Sequence, residues 1–161
     1  MFKELKELDI QPLLDYYYQV EGNLVWTESG QKGKQTGIQF KPGEDPWTSS
    51  VGRSKGVDTA HTDLNPFFKD SIIENIINEY GLLRTRLMWV NPFSCYTIHA
   101  DYTPRIHIPL ITNPECYFFF KKGNLIHMPV GKSYWVDTRY LHTFMNCSDK
   151  PRLHLVGVVK S

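Results

Sequence analysis

The sequence predicts a mainly β domain: a small antiparallel sandwich or barrel with helices backing one side. Three observations predict it. From residue 83 onward the chain divides into short runs rich in β-branched and aromatic residues, separated by turn residues. Aromatic content is somewhat high, with nine Tyr, nine Phe and four Trp, which suits strands. One clear amphipathic helix precedes the runs and offers an apolar face to a sheet. At 161 residues the chain fits a single domain. Its expected division is an N-terminal part, 1–83, with helices, a strand and a possible lid loop, followed by the core barrel, 84–161.

Within residues 1–26, Leu5, Leu8, Leu13 and Leu14 suit one or two helical turns broken at Pro12, and Asn23 to Thr27 reads as a strand. Residues 27–62 contain ESGQKGKQTG, KPGEDPWTSS and GRSKG, where Gly, Ser, Thr, Pro and Lys signal loops. A loop of that length is usually functional or mobile, so this one is a candidate lid. Trp47 inside it reads as a packing anchor. Asn65-Pro66 then opens the helix, with Asn as N-cap and Pro in the first turn. Phe68, Ile72, Ile73, Ile76, Ile77 and Tyr80 follow at helical spacing, and Gly81 closes it. The strand candidates are Thr85–Val90, Tyr96–Ala100, Arg105–Leu110, Cys116–Lys121, Asn124–His127, Ser133–Val136, Thr143–Cys147 and Arg152–Val159. Asn91-Pro92, Asn113-Pro114, Gly123, Gly131 and Asp149-Lys150-Pro151 mark turns between them.

Composition narrows the function. Apolar residues make up 41% and charged residues 22%, and net charge is +1, so bulk charge asks for neither nucleic acid nor an anionic membrane. Cys95, Cys116 and Cys147 form no CxxC pair and are odd in number, which reads as reduced thiols. The N-terminal stretch is charged throughout, without a signal core, and no apolar run reaches the roughly 20 residues of a membrane span. A soluble, cytoplasmic protein is expected.

The chemistry-bearing residues gather in the second half. His99 and Asp101 form His-x-Asp at a strand end, and residues i and i+2 of an extended chain share a face. One imidazole and one carboxylate can thus reach a single ion. His142, 43 residues later at the mouth of another strand, is the candidate third ligand. Two histidines and a carboxylate make the facial triad of non-haem iron(II) oxygenases, which leaves coordination positions open. Arg152 lies ten residues after His142. It and His154 face opposite to Leu153 and Leu155, and a basic residue inside a barrel is costly without an anion. A carboxylate fits a guanidinium, although a rim arginine or a structural ion pair remains an alternative at this point. Arg105, His107 and Pro109 share a face in the same way. For His107 a satisfied core histidine is equally open. His127 reads as a surface or packing residue, His154 as support for Arg152, His61 as loop with substrate contact as the alternative, and Asn146 as a turn former.

Residues 84–159 resemble the aspartyl/asparaginyl β-hydroxylase-like branch of the 2-oxoglutarate oxygenases, which includes hydroxylases of free proline. The matching stretches are Arg84-Thr-Arg86-Leu-Met, His99-Ala-Asp101, Arg105-Ile-His107-Ile-Pro-Leu110, Gly131, Val136-Asp137, His142-Thr-Phe-Met-Asn146 and Pro151-Arg152. The resemblance implies a double-stranded β-helix (a jelly-roll, cupin-like barrel) and iron(II) at His99, Asp101 and His142. It implies that Arg152 binds the distal carboxylate of 2-oxoglutarate, with Arg105 and His107 beside the cosubstrate. The implied reaction consumes 2-oxoglutarate and O2, releases succinate and CO2, and hydroxylates an amino acid, free or within a peptide or protein, of Asp, Asn or Pro type. Two alternatives compete. A cupin-like metal- or small-molecule-binding protein is echoed by Gly123-x5-Pro129-x-Gly131 and His142-x3-Asn146, but the stretch between Gly131 and His142 is too long for that motif. A non-catalytic binding module on the same barrel would have no need of three filled metal positions.

Overall fold

A computed structural model describes residues 1–53, 57–123 and 125–160. In chain order its elements are β1 (Phe2–Glu7), α1 (Gln11–Val20), β2 (Thr27–Glu28), β3 (Gly33–Gly37), β4 (Gln39–Phe40), β5 (Asp63–Leu64) and α2 (Ile72–Tyr80). There follow β6 (Leu83–Val90), β7 (Ser94–Cys95), β8 (Arg105–Ile111), β9 (Cys116–Phe120), β10 (Leu125–Ile126), β11 (Lys132–Val136), β12 (His142–Asn146) and β13 (Arg152–Val158).

Seven strands form a large sheet in the order β1-β11-β8-β13-β6-β3-β2, and four form a small sheet, β10-β9-β12-β7. β4 and β5 pair separately, and the pairings are antiparallel. Strand alternation divides the core in two. Leu87, Ile106, Ile108, Leu153 and Leu155 face outward and pack with Leu13, Tyr17, Ile73, Ile76 and Ile77 of the helices. A second cluster holds Phe118, Phe120 and Phe144 of the small sheet with Tyr134 and Val136 of the large one. Many of the remaining inward positions of β6, β8 and β13 are polar: Arg84, Arg86, Arg105, His107, Arg152 and His154 are all buried, with Met88 and Val156 as apolar members of the same face. Burying that many polar groups is costly in a core and marks the space between the sheets as the site.

Several local expectations are corrected. Pro12 does not break a helix; it stands in the first turn of α1, where a missing N–H costs nothing. Leu5 lies in β1, paired with β11 at the edge of the large sheet. Residues 21–23 form a 3-10 turn, and strand begins only at Thr27. The helix expected from Asn65 is two pieces. Asn65 caps a 3-10 turn, Pro66–Phe68, by accepting from Phe67 N. Asp70 then takes φ 59°, and Ser71 caps α2 by accepting from Glu74 N. Gly81 ends α2 in the left-handed conformation, as expected.

The largest correction concerns residues 27–62. β3 lies inside the large sheet between β6 and β2, and Gln35, Thr36, Ile38 and Gln39 are buried. The barrel therefore draws β1, β2 and β3 from the first forty residues instead of beginning at 84. Trp47 is the packing anchor anticipated, with its ring 5.3 Å from Phe67 and 5.9 Å from Phe68. Residues 96–100 form no regular strand, although His99 pairs with His142 through an isolated bridge. Lys55 and the GRSKG stretch around it, and Asn124 of the strand expected at 124–127, lie outside the described residues in whole or in part. The three cysteines are free. Among the described residues no helix is long and apolar enough to cross a membrane.

Candidate active site

The sequence distance between His99 and His142 is closed by backbone pairing. His99 N donates to His142 O at 3.0 Å and His142 N donates to His99 O at 2.8 Å. Asp101 N donates to Thr138 O at 2.8 Å, which brings the third side chain in. The donor atoms of His99, Asp101 and His142 all lie within 4.8 Å of one another. His142 Nε2 is 3.6 Å from Asp101 Oδ2, and His99 Nε2 is 4.0 Å from Asp101 Oδ1.

Tautomers are fixed from behind. His142 Nδ1 lies 2.8 Å from Tyr140 O, and His99 Nδ1 lies 2.7 Å from Thr97 O. A carbonyl only accepts, so each Nδ1 carries the proton and each Nε2 presents its lone pair. His142 Nε2 is buried and has no hydrogen-bond partner among the described residues. Burial also lowers the His142 pKa below its ordinary value, so its lone pair is available at neutral pH. Burial alone would raise the Asp101 pKa, but Arg105 and His142 bring it below the usual carboxylate range. Two imidazoles and one carboxylate, with the His142 nitrogen left without a partner among the described residues, fit a divalent metal of the iron class.

Behind the triad runs a chain of ion pairs. Arg105 Nε and Nη2 meet Asp101 Oδ2 and Oδ1 at 2.9 and 2.8 Å. Asp58 accepts from Arg84 Nη1 at 2.7 Å and from Thr103 Oγ1 at 3.0 Å, and stands 3.8 Å from Arg105 Nη2. A cavity of about 870 Å3 opens beside the triad, with His99, Asp101, Arg84, Arg86, Arg105 and His107 in its wall. His107 Nε2 is buried without a partner, and burial next to Arg152 and Arg105 holds His107 neutral, well below its ordinary pKa.

Arg152 is inward-facing, as its alternation with Leu153 implied, but does not line that cavity. It lies behind Phe144, with Cζ 4.8 Å from the ring centroid. Its Nη2 donates to His154 Nδ1 at 2.9 Å, and its Nε has no partner. Burial lowers its pKa to about 10. The adjoining void, about 10 Å3, also meets Phe144, Cys116 and His154. Thus Arg152 is not on the rim, and among the described residues it is in no ion pair. Arg105, by contrast, already has a carboxylate in Asp101.

His154 supports Arg152 as read from the sequence. Asn146 is the turn former anticipated: its Nδ2 donates to Lys150 O at 2.7 Å and to Asn91 O at 3.1 Å. His127 packs with Nδ1 3.0 Å from Cys116 O. His61 is buried with its ring nitrogens near Asp58 O and Ser49 O, and does not line the large cavity. Sequence reasoning missed Asp58, Gln35 and the cavity roles of Arg84 and Arg86. The signal for the two arginines was present, because Arg84-Thr85-Arg86 alternates just as Arg105-Ile106-His107 does. Asp58 sits in a short 3-10 turn with no such signal.

The family model described as aspartyl/asparaginyl beta-hydroxylase matches residues 24–160. Among solved structures, the chain is similar to an oxidoreductase of the 2OG-Fe(II) oxygenase family from Burkholderia pseudomallei, at 13% identity and TM-score 0.60, over 98% of this chain and 82% of that one. It is similar to a viral collagen prolyl hydroxylase from Paramecium Bursaria Chlorella virus-1 in a 2OG complex, at 14% identity and TM-score 0.56, over 98% and 94%. A third similarity is to HygX from Streptomyces hygroscopicus with nickel, 2-oxoglutarate and hygromycin B bound, at 9% identity and TM-score 0.60, over 98% and 81%. At these identities the structures share the fold, a double-stranded β-helix. The family match favours a hydroxylase over the cupin-like binder, and the chain belongs to the aspartyl/asparaginyl β-hydroxylase family, as a 2-oxoglutarate-dependent hydroxylase.

Proposed function

We propose that the protein hydroxylates a C–H bond of an amino acid of Asp, Asn or Pro type, free or within a peptide. In this reading His99, Asp101 and His142 hold iron(II), and Arg152 binds the distal carboxylate of 2-oxoglutarate. The single observation that carries it is the buried Nε2 of His142, which has no partner and shares its space with His99 Nε2 and the Asp101 carboxylate. When bound, iron(II) would activate O2, the oxidant, with 2-oxoglutarate as the two-electron co-reductant: one oxygen atom would end in succinate, with release of CO2, and the other on the substrate C–H carbon.

The chain's own residues bind, orient and exclude water. Tyr140 O and Thr97 O fix the rings of His142 and His99. Arg105 fixes Asp101 through both carboxylate oxygens, and together with His107 it stands at the cosubstrate's side of the cavity. Arg152 is a buried guanidinium whose neighbours are a neutral histidine and an aromatic face. Arg152 stands outside the large cavity, beside a void of about 10 Å3 next to Phe144, and a carboxylate that reached it would meet a cation with little competition from water. Phe118 stacks on His142 at 4.9 Å with an interplanar angle of 10° and keeps water from that side of the ligand.

The test is conversion of 2-oxoglutarate to succinate by purified protein with iron(II), in air and under argon, for wild type and His142→Ala. Oxygen-dependent succinate in wild type, absent from the folded variant, supports the reading. Succinate formation that is equal in both proteins removes it.

A further inference from the structure

We infer that Asp58 is a positioning residue of the metal site: it keeps Arg84 away from Asp101 and anchors the segment that carries Asp101. The inference rests on the assignment of His99, Asp101 and His142 to the metal, and it begins with buried charge. Asp58, Arg84 and Arg105 are each 5% exposed or less. With Asp101 they form a cluster of two guanidiniums and two carboxylates. How these pair decides what is left for a metal. Arg105 takes Asp101, with Nε and Nη2 at 2.9 and 2.8 Å from its oxygens. Arg84 takes Asp58, with Nη1 2.7 Å from Oδ1. A guanidinium stripped of its anion in a buried place is costly. Without Asp58, the remaining carboxylate of the cluster is Asp101, whose charge already acts on Arg84. A carboxylate drawn to two guanidiniums has less of its charge available for a cation.

The backbone is shaped for the Arg84–Asp58 pair. Leu83 pairs with Val158 and Arg86 with Val156, so Arg84 and Thr85 bulge opposite Gly157 alone. A Cβ on Gly157 would lie 3.0 Å from Thr85 Oγ1, so the bulge needs glycine there. Arg84 takes φ 48°, a left-handed conformation that persists in a residue with a side chain only where the surroundings impose it. Here they bind Arg84 to the segment around Asp58. Its N donates to His61 O at 3.0 Å, its Nη2 to Gly52 O at 2.8 Å and its Nη1 to Asp58. The other Asp58 oxygen faces the metal side. Oδ2 accepts from Thr103 Oγ1 at 3.0 Å and lies 3.8 Å from Arg105 Nη2. Thr138 holds the same segment from its other side: its Oγ1 donates to Thr103 O at 2.6 Å, and its O accepts from Asp101 N at 2.8 Å. Residues 101–103 lie in no strand or helix, so Asp101 is only as well placed as these anchors make it.

The experiment is manganese(II) titration of metal-free protein followed by electron paramagnetic resonance, with circular dichroism as the fold control. Asp58→Asn keeps the shape and removes the charge. It should bind manganese(II) about tenfold or more weakly than wild type, with a changed spectrum of the bound ion. Asp58→Glu should recover part of the affinity. The double variant Asp58→Asn/Arg84→Met also removes the stranded guanidinium, so its affinity should return to within about threefold of wild type. A merely structural Asp58 predicts the reverse, because the double variant loses more contacts than the single one. Hydrogen exchange of wild type gives a second measurement that needs no variant. Contacts that favour the metal are favoured by it in return, so manganese(II) should slow exchange at residues 58–61 together with 101–105. The inference is overturned if folded Asp58→Asn binds manganese(II) like wild type, if the double variant stays about tenfold weaker than wild type, or if exchange at 58–61 is indifferent to the metal. Should Asp58→Asn not fold, the double variant and the exchange decide by these same criteria. A folded wild type that binds no manganese(II) overturns the metal-site reading, and the inference with it.

Discussion

Arg105 holds both carboxylate oxygens of Asp101, with Nε 2.9 Å from Oδ2 and Nη2 2.8 Å from Oδ1. The clamp keeps the carboxylate ionised and turned so that the histidine nitrogens lie 3.6 and 4.0 Å away. Arg105→Met should therefore weaken metal binding by about 10- to 100-fold, the usual cost of losing a partner that orients a ligand. Manganese(II) titration followed by electron paramagnetic resonance, with circular dichroism as the fold control, checks it. Unchanged affinity would mean that Asp101 needs no clamp.

Arg152 and Asp101 should separate in their effects. Arg152→Gln is expected to weaken 2-oxoglutarate by about 2 kcal/mol or more while manganese(II) affinity stays at the wild-type value. Asp101→Ala should weaken the metal first. Parallel calorimetric titrations of the two variants distinguish these patterns.

Stability should fall on acidification before any carboxylate titrates. His107 and His154 are buried, and burial with nearby Arg152 pushes both well below the ordinary value of 6.5. The unfolded chain then binds protons that the folded chain refuses. Their contribution is complete above pH 6.5 and is lost as pH falls below it, at about 1.4 kcal/mol per pH unit for each histidine. Urea denaturation between pH 7.5 and 5.5 measures the slope, and His107→Phe should reduce it. A slope near zero in that range would show that these histidines take up protons in the folded state.

β3 gives a prediction about the fold. A Cβ on Gly33, at φ +156°, would lie 1.9 Å from Trp89 O. Gly33→Ala should therefore cost about 3 kcal/mol or more and lower Tm by about 10 °C, read by calorimetry. A Tm unchanged from wild type would mean that β3 does not pack against β6 as described.

The same glycines explain what was legible in the sequence. β6, β8 and β13 carry polar residues at alternate positions, and strands buried on both faces reveal their polar inward set by that alternation. So His107, Arg152 and His154 could be placed inward from residue spacing alone. β3 reads Gly-Lys-Gln-Thr-Gly, which has loop composition because its ends touch backbone: Gly37, like Gly33, leaves no room for a Cβ, with Trp47 O 2.8 Å away. The triad was legible as His-x-Asp with a later histidine, although not for the reason of strand geometry. Residues 99–101 form no strand, and the triad is assembled by hydrogen bonds to His142 and Thr138. Asp58 was not legible, because a lone acid in a polar segment acquires meaning only when the fold brings Arg84 and Thr103 to it. The division of partners between Arg105 and Arg152 is likewise a product of tertiary packing.

The central claim is that His99, Asp101 and His142 form one metal site and that 2-oxoglutarate binds beside it. The most direct measurement is anaerobic titration of the metal-free protein with iron(II) and then 2-oxoglutarate, following the visible metal-to-ligand charge-transfer band. The account predicts a band in wild type, its loss in His142→Ala, and a higher 2-oxoglutarate concentration for half-saturation in Arg152→Gln. A folded wild-type protein that binds iron(II) yet shows no band, or a band that persists in His142→Ala, would contradict it.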